Sequence, residues 1–289
     1  MKKKIIVTGA TGLIGSHLLL QLARHFEVHA ISRIRRTAEN ENVKWYQVDL
    51  NGDFDPSILP VSVEAVIYLA QSENFRDFPS KALDVFQVNT AKMLEMLDYA
   101  RRAGAKTFVY ASSGGVYGAG EHGFSEDITL PASGENGFYL STKLCSEILA
   151  ENYKQFMNIV MLRFFFVYGK GQKRSMLIPR LVDNIREGNP IALQGDIGIS
   201  INPTHVSDAV ASVIAALNLK GFHKINVAGP KVLSLKQISE IIGDKVGVKP
   251  IFKYDSKKWP RNLIGKTEKM RKNLTAPLCF PIDGFGDVI

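Results

Sequence analysis

The stretch Thr8-Gly9-Ala10-Thr11-Gly12-Leu13-Ile14-Gly15 stands between two segments of different periodicity. Lys4–Thr8 is a short continuous apolar run and reads as a buried strand. Leu13–Arg24 carries helical spacing. The three glycines therefore fall at a strand-to-helix turn. Glycines there permit a tight turn and let the backbone approach a pyrophosphate closely. The helix N-terminus adds unpaired N–H groups and the positive end of a dipole. The spacing is GxxGxxG rather than GxGxxG. A glycine turn with no ligand is the bland alternative, and the placement between strand and helix argues against it.

Outward from this turn, apolar runs alternate with helical patterns. Strands are expected at Glu27–Ile31, Val43–Tyr46, Glu64–Leu69, Thr107–Ala111 and Ile159–Arg163. Long helices are expected over Ser80–Arg102 and Phe138–Met157. Continuous apolar strands separated by helices mean a parallel sheet covered on both faces, an α/β Rossmann-type doubly wound fold. Beyond about residue 170 the pattern loosens. Met176–Glu187, Val206–Leu217 and Leu235–Val246 read as helices, the last capped by Ser234. Short strands are expected at Ile191–Leu193, Lys224–Val227 and Ile251–Lys253. The expected organisation is a dinucleotide-binding domain over 1–170 and a smaller C-terminal substrate lobe over 171–289, with some segments free to return to the first.

The chain has 289 residues, 45% of them hydrophobic and 22% charged, so a sizeable core is available. The net charge is +8. The densest basic run is Arg33, Arg35 and Arg36, and no nucleic-acid-binding motif accompanies it, so no nucleic-acid partner is expected. Two distant cysteines, Cys145 and Cys279, make neither a disulfide framework nor a CxxC pair. No HExxH or similar ligand set occurs; His25 and His29 flank a strand start, and no metal is expected. No run approaches the roughly 18 apolar residues of a membrane span, and the short run Ile5–Val7 is no signal h-region. A cytoplasmic, membrane-free protein is the expectation.

Three further stretches carry chemistry. At the end of the second strand, where an Asp or Glu would hold a ribose 2′-hydroxyl, stand Ser32 and Arg33. An arginine fork suits a 2′-phosphate, which favours NADP over NAD; surface arginines on a loop are the alternative. Tyr139-Leu-Ser-Thr-Lys143 places a phenol and an ammonium on one helix face, and a lysine beside a tyrosine favours the phenolate. This spacing is weak alone, since Tyr254 and Lys258 repeat it by accident. The stretch Val109-Tyr110-Ala111-Ser112-Ser113-Gly114-Gly115-Val116-Tyr117-Gly118 supports it. A hydroxyl at Ser113 lies at the carboxyl edge of the sheet, where open α/β folds place ligands.

Taken together, these stretches resemble the extended short-chain dehydrogenase/reductases, the NAD-dependent epimerase/dehydratase family, through nearly the whole chain. The resemblance implies a catalytic trio of Ser113, Tyr139 and Lys143. It implies cofactor contacts at Gly9, Thr11, Gly12, Leu13, Ile14 and Gly15, at Asp49-Leu50, at Leu69-Ala70-Gln71, at Asn89 and at Ser112. The Leu162-Arg163-Phe164-Phe165-Phe166-Val167-Tyr168-Gly169 stretch matches a further family motif, with Phe165 on the cofactor side. It also implies a homodimer formed by the two long helices, whose Phe86, Met93, Leu97, Leu140, Leu144 and Leu149 exceed what one sheet face can bury.

Departures bear on the substrate. Phe166 stands where many nucleotide-sugar members have an Asn, Ile201 where some have an Arg, and Trp259-Pro260 where an Arg-Pro is usual. Arg174, Arg180 and Arg261 are the substitutes at hand. Gly114-Gly115 after Ser113 replaces the Asp-Glu of 4,6-dehydratases, so dehydration is not expected. The expected activity is that of an epimerase or ketoreductase on a sugar hydroxyl or ketone, with a nucleotide sugar as substrate. Reduction of a non-nucleotide carbonyl and non-catalytic cofactor sensing are the alternatives.

Overall fold

The computed structural model describes residues 2–34, 40–130, 137–257 and 261–289. In chain order the elements begin with β1 Lys4–Thr8, α1 Leu13–Leu22, β2 Glu27–Ser32, β3 Val43–Gln47 and β4 Ala65–Tyr68. There follow α2 Ala82–Phe86, a π-helical turn at Gln87–Ala91, α3 Lys92–Arg102, β5 Thr107–Ser113, α4 Gly137–Glu151 and β6 Asn158–Phe164. The rest comprises α5 Leu177–Arg186, β7 Ile191–Gln194, β8 Ser200–Ile201, α6 Val206–Ala216 and β9 Phe222–Val227. β10 Leu233–Ser234, α7 Leu235–Val246, β11 Phe252–Asp255, α8 Glu268–Asn273 and α9 Pro281–Gly284 complete it.

Seven strands form one sheet in the order β3-β2-β1-β4-β5-β6-β9. The β1–β2, β1–β4, β2–β3 and β4–β5 pairs are parallel. The order reverses between β1 and β4, so the carboxyl ends of these two strands open the crevice where such sheets bind ligands. Apolar runs such as Ile5–Val7 and Val66–Tyr68 are buried on both faces because helices cover both. One core cluster packs Ile6, Val66, Met96, Leu97, Phe108 and Met161 with Leu50 and Tyr99.

The chain separates into two compact units. The first holds residues 1–116, 131–163 and 213–225. The second holds 117–130, 164–212 and 226–289, around a core of its own that includes Tyr168, Ile178, Val182, Ile201, Ile238 and Phe285. In the second unit, α7 is closed by a reciprocal box between Ser234 and Gln237, and Gly247 ends it at φ 72°.

The helix expected over Ser80–Arg102 is not continuous. Residues 87–91 widen into a π turn, and side chains bond two of its carbonyls. Tyr68 donates to the Val88 carbonyl at 2.5 Å, and Ser146 to that of Asn89 at 2.8 Å. The second long helix ends at Glu151, followed by a 3₁₀ turn over Asn152–Gln155. His29 lies inside β2, buried, with its ring nitrogens bonded to Tyr46 and Glu27 at 2.9 Å each. It is a satisfied core histidine.

Two glycines have no substitute in the opening turn. Gly9 has φ 65°, and a Cβ there would lie 2.8 Å from the Ala70 amide. A Cβ on Gly15 would meet the Gly9 carbonyl oxygen at 2.3 Å and Ala10 Cα at 2.9 Å, all backbone. Gly15→Ala is therefore expected to lower stability by about 1–3 kcal/mol. Urea denaturation monitored by circular dichroism measures it, and an unchanged midpoint would show that the turn opens freely.

Candidate active site

The β1–α1 turn is built to receive an anion. Gly12 N–H donates to the Gly9 carbonyl at 2.9 Å, closing the turn. Gly12 caps α1 without any side-chain hydrogen bond, and no acidic residue occupies the first helical turn. The N–H groups and dipole of α1 thus face outward uncompensated, flanked by Thr11, Leu13 and Ile14. A Cβ on Gly12 would meet only the Gly9 carbonyl oxygen, at 3.1 Å, so the backbone at the head of α1 is otherwise open to the close approach a pyrophosphate needs. On that observation the turn fits a dinucleotide.

At the end of β2 the expected 2′-phosphate contacts are otherwise engaged. The Ser32 hydroxyl is buried; it donates to the Ile34 carbonyl at 3.0 Å and accepts from the Ile34 amide at 3.1 Å. Thr11 lies 3.3 Å away, oxygen to oxygen. Arg33 is half-exposed and pairs with Glu73 at 2.5 Å. Arg35 and Arg36 lie outside the described residues. Asp49 folds onto its own turn, accepting from Asn51 N–H at 2.9 Å, while Leu50 belongs to the core. Ala70 N–H donates to Thr8 Oγ1 at 3.2 Å, binding the end of β4 beside Leu69 to that of β1.

Ser113, Tyr139 and Lys143 all belong to the first unit, Ser113 ending β5 and the other two on α4. Ser113 Oγ accepts from Gly115 N–H at 3.1 Å. Burial pushes the Tyr139 phenol well above its usual range, and a hydrogen bond from Ser113 opposes this. Tyr139 donates its proton to Gln71 Oε1 at 3.0 Å. Gln71 was expected on the cofactor side; the structure puts it on the phenol.

Lys143 is buried, and its Nζ donates to the Ala111 carbonyl at 2.9 Å, above the Tyr110 ring. Burial pulls its pKa down to about 7, partly offset by Glu147. The ammonium is bonded to Ala111, 5.9 Å from the Tyr139 ring centre, and its own charge is penalised by burial.

Glu147 and Phe75 were not read from the sequence, whereas Asn89 was. Glu147, one turn beyond Lys143, accepts from Ser112 Oγ at 2.5 Å and from Arg163 at 2.6 and 2.9 Å. The i, i+4, i+8 series Tyr139, Lys143, Glu147 was visible and could have exposed it. Asn89 is wholly buried; its side chain accepts from Ser72 N–H and donates to Thr142, each at 3.0 Å. It fixes the loop after β4 against α4. The Phe75 ring lies 5.1 Å from that of Tyr139, with no sequence signal to mark it.

Phe165 falls in the second unit, wholly buried, stacked near Tyr117 at 6.2 Å and with its ring against Gly265. Ile201 is core, paired in β8 with Leu233. Phe166 has φ 43°, a left-handed conformation that Asn and Gly tolerate and a bulky side chain resists. Arg174 is committed to Asp183 and to the Val288 carbonyl. Trp259, Pro260 and Lys258 lie outside the described residues. Among the described residues no cluster of three metal-ligating side chains occurs, and no helix is long and apolar enough to cross a membrane.

Residues 5–228 match the NAD dependent epimerase/dehydratase family. The chain is 30% identical to an uncharacterised UDP-glucose epimerase of Bacillus subtilis over 274 residues, 88% of this chain and 85% of the relative. It is also 30% identical to a UDP-glucuronate 4-epimerase of Thermodesulfobacterium geofontis over 224 residues, 75% of this chain and 68% of the relative. Among solved structures, the UDP-glucuronic acid 4-epimerase of Bacillus cereus in complex with UDP-glucuronic acid and NAD superposes with a TM-score of 0.85 at 26% identity. The match covers 98% of this chain and 97% of that one.

The depressed Lys143 pKa makes stability depend on pH. Below pH 7 the lysine is protonated folded and unfolded, and its burial penalty is carried in full. Between about 7 and the ordinary value of 10.5, the unfolded chain holds a proton that the folded chain lacks, so stability rises with pH. Urea denaturation at pH 7 and pH 9 should show a larger gain for the wild type than for Lys143→Met. Equal gains would remove the buried-lysine account.

Proposed function

The chain belongs to the NAD dependent epimerase/dehydratase family, and on that premise we propose that it is an oxidoreductase or epimerase acting on a sugar hydroxyl or ketone of a nucleotide sugar. The observation that carries this is the Tyr139 phenol and the buried Lys143 ammonium one turn apart on α4, in the same unit as Ser113 at the end of β5. The nicotinamide dinucleotide, when bound, supplies hydride transfer at a substrate carbon. Gly9, Thr11, Gly12, Leu13, Ile14 and Gly15 would hold its pyrophosphate, and Asp49, Leu50, Leu69, Ala70, Asn89 and Ser112, all of the first unit, would shape the remainder of its site by backbone and packing.

Tyr139 gives or takes the proton of the reacting oxygen, and Ser113 orients that oxygen. Lys143 sits where its charge favours the deprotonated phenol once it turns from the Ala111 carbonyl. Tyr139→Phe should lower turnover by about 10²–10⁴-fold or more while cofactor affinity stays near wild type. Conversion of UDP-glucuronic acid and UDP-glucose, followed by chromatography of the sugar nucleotides, measures it; near-normal turnover by the Phe variant sinks the assignment. The bulky ring of Phe166 at φ 43° favours a second reading, a carbonyl substrate without a nucleotide. Identification of what co-purifies with the protein separates the two.

For the finer cofactor preference, Arg33 is the candidate 2′-phosphate partner, which supports NADP, and Glu73 opposes it by holding the guanidinium. Glu73→Gln should therefore strengthen NADP binding and leave NAD binding unchanged. Arg33→Ala should weaken NADP binding by roughly 10–150-fold, the worth of one charge-assisted hydrogen bond. Calorimetric titration at fixed salt reads both. If neither variant alters NADP affinity, the pair is surface charge only.

The protein is further read as a cytoplasmic homodimer, in keeping with two cysteines that form no disulfide. Met93 and Leu97, expected in excess, are wholly buried under the sheet and do not support it. Support comes instead from Leu83, Phe86 and Ile148, 84%, 44% and 60% exposed on α2 and α4, which pack side by side. Light scattering at micromolar concentration should give twice the 32.0 kDa of one chain. A single-chain mass would exclude this pairing.

A further inference from the structure

Two hydrogen bonds frame the groups around the Tyr139 phenol. Gly115 N–H donates to Ser113 Oγ at 3.1 Å, and the phenol donates to Gln71 Oε1 at 3.0 Å. The phenol has one proton to donate. The Tyr139 proton has a single destination, the side-chain carbonyl of Gln71. That carbonyl accepts and cannot donate. Phe75, 5.1 Å from the Tyr139 ring, flanks the same phenol.

A reacting sugar oxygen that exchanges a proton with Tyr139 must also lie within hydrogen-bond reach of the phenol. Gln71 Oε1 marks that place. We propose that Gln71 is a positioning residue for proton transfer: its carbonyl keeps the Tyr139 proton aimed along the line on which the reacting oxygen takes it, and gives up that bond to the oxygen. The inference rests on Tyr139 as the acid/base. An acceptor facing a phenol stabilises its neutral form, so Gln71 holds the site ready to donate a proton to a ketone rather than to take one from an alcohol.

Gln71→Met keeps length and removes the acceptor; Gln71→Glu replaces it with a charge. The test places 2,3,5-trifluorotyrosine at position 139 of the full-length protein, so that the phenol titrates where the protein remains folded, and follows its fluorine resonance against pH. Gln71→Met should lower the midpoint by about one unit, the worth of one hydrogen bond. Gln71→Glu should raise it, because a like charge disfavours the phenolate. A midpoint unmoved by Gln71→Met overturns the proposal, as does a rise in cofactor dissociation constant with the midpoint unchanged, which would make Gln71 a cofactor contact. Failure of the underlying reading is distinct: there, Tyr139→Phe itself retains turnover.

Discussion

Glu147 and Arg163 form an ion pair with both side chains 1% exposed, and the arrangement around Tyr139 depends on it. Two charges taken this far from water are tolerated only with close geometry and further hydrogen bonds. Both are present: two contacts from the guanidinium and a third from Ser112. The pair joins α4 to β6, and Ser112 joins both to β5. Removing one partner of such a pair typically costs about 3–5 kcal/mol, because the other is left charged and buried. The same carboxylate also raises the pKa of Lys143, one turn earlier on the helix, against the larger effect of burial. A bond that fixes the scaffold thus also favours the charged form of Lys143, in opposition to burial.

A second constraint comes from backbone meeting backbone. The turn after β1 presses against the end of β4 so closely that only glycine fits at 9, and the Thr8 hydroxyl holds the Ala70 amide. The loop after β4 is then tied by Ser72 and Asn89 to Thr142 on α4. Ser72 and Asn74 both bond Asp84 on α2. Gln71 lies at the start of this loop. Its reach to Tyr139 follows from a polar network that includes the Asn89–Thr142 bond, 53 residues apart in sequence.

The glycine spacing, the six-strand α/β pattern as far as Arg163 and the face shared by Tyr139 and Lys143 were legible because they are local, whereas Lys224–Val227, read as part of the C-terminal lobe, joins the same sheet as β9. They rest on a turn's steric demand, on runs buried on both sides and on the 3.6-residue period. The edges were less so. β5 runs on to Ser113 because strand pairing, not apolar composition, sets its end. The break at 87–91 was hidden because Tyr68 and Ser146, which bond its carbonyls, are remote in sequence. The last short elements, α8 and α9, carry too few periodic residues to announce themselves.

Sequence by itself determined the strand–turn–helix start, the family and the identity of the candidate acid/base, since each depends on residue types at fixed short spacing. Tertiary structure decided what those residues face. Arg33, read as free to meet a phosphate, faces Glu73, 40 residues away in sequence. Lys143 bonds a carbonyl of β5 rather than the tyrosine on its own helix, and Gln71, 68 residues before Tyr139, takes the phenol proton. The physical reason is that a hydrogen bond or a desolvation penalty depends on distance and burial in space, and for side chains so far apart along the chain both are set only when the sheet assembles.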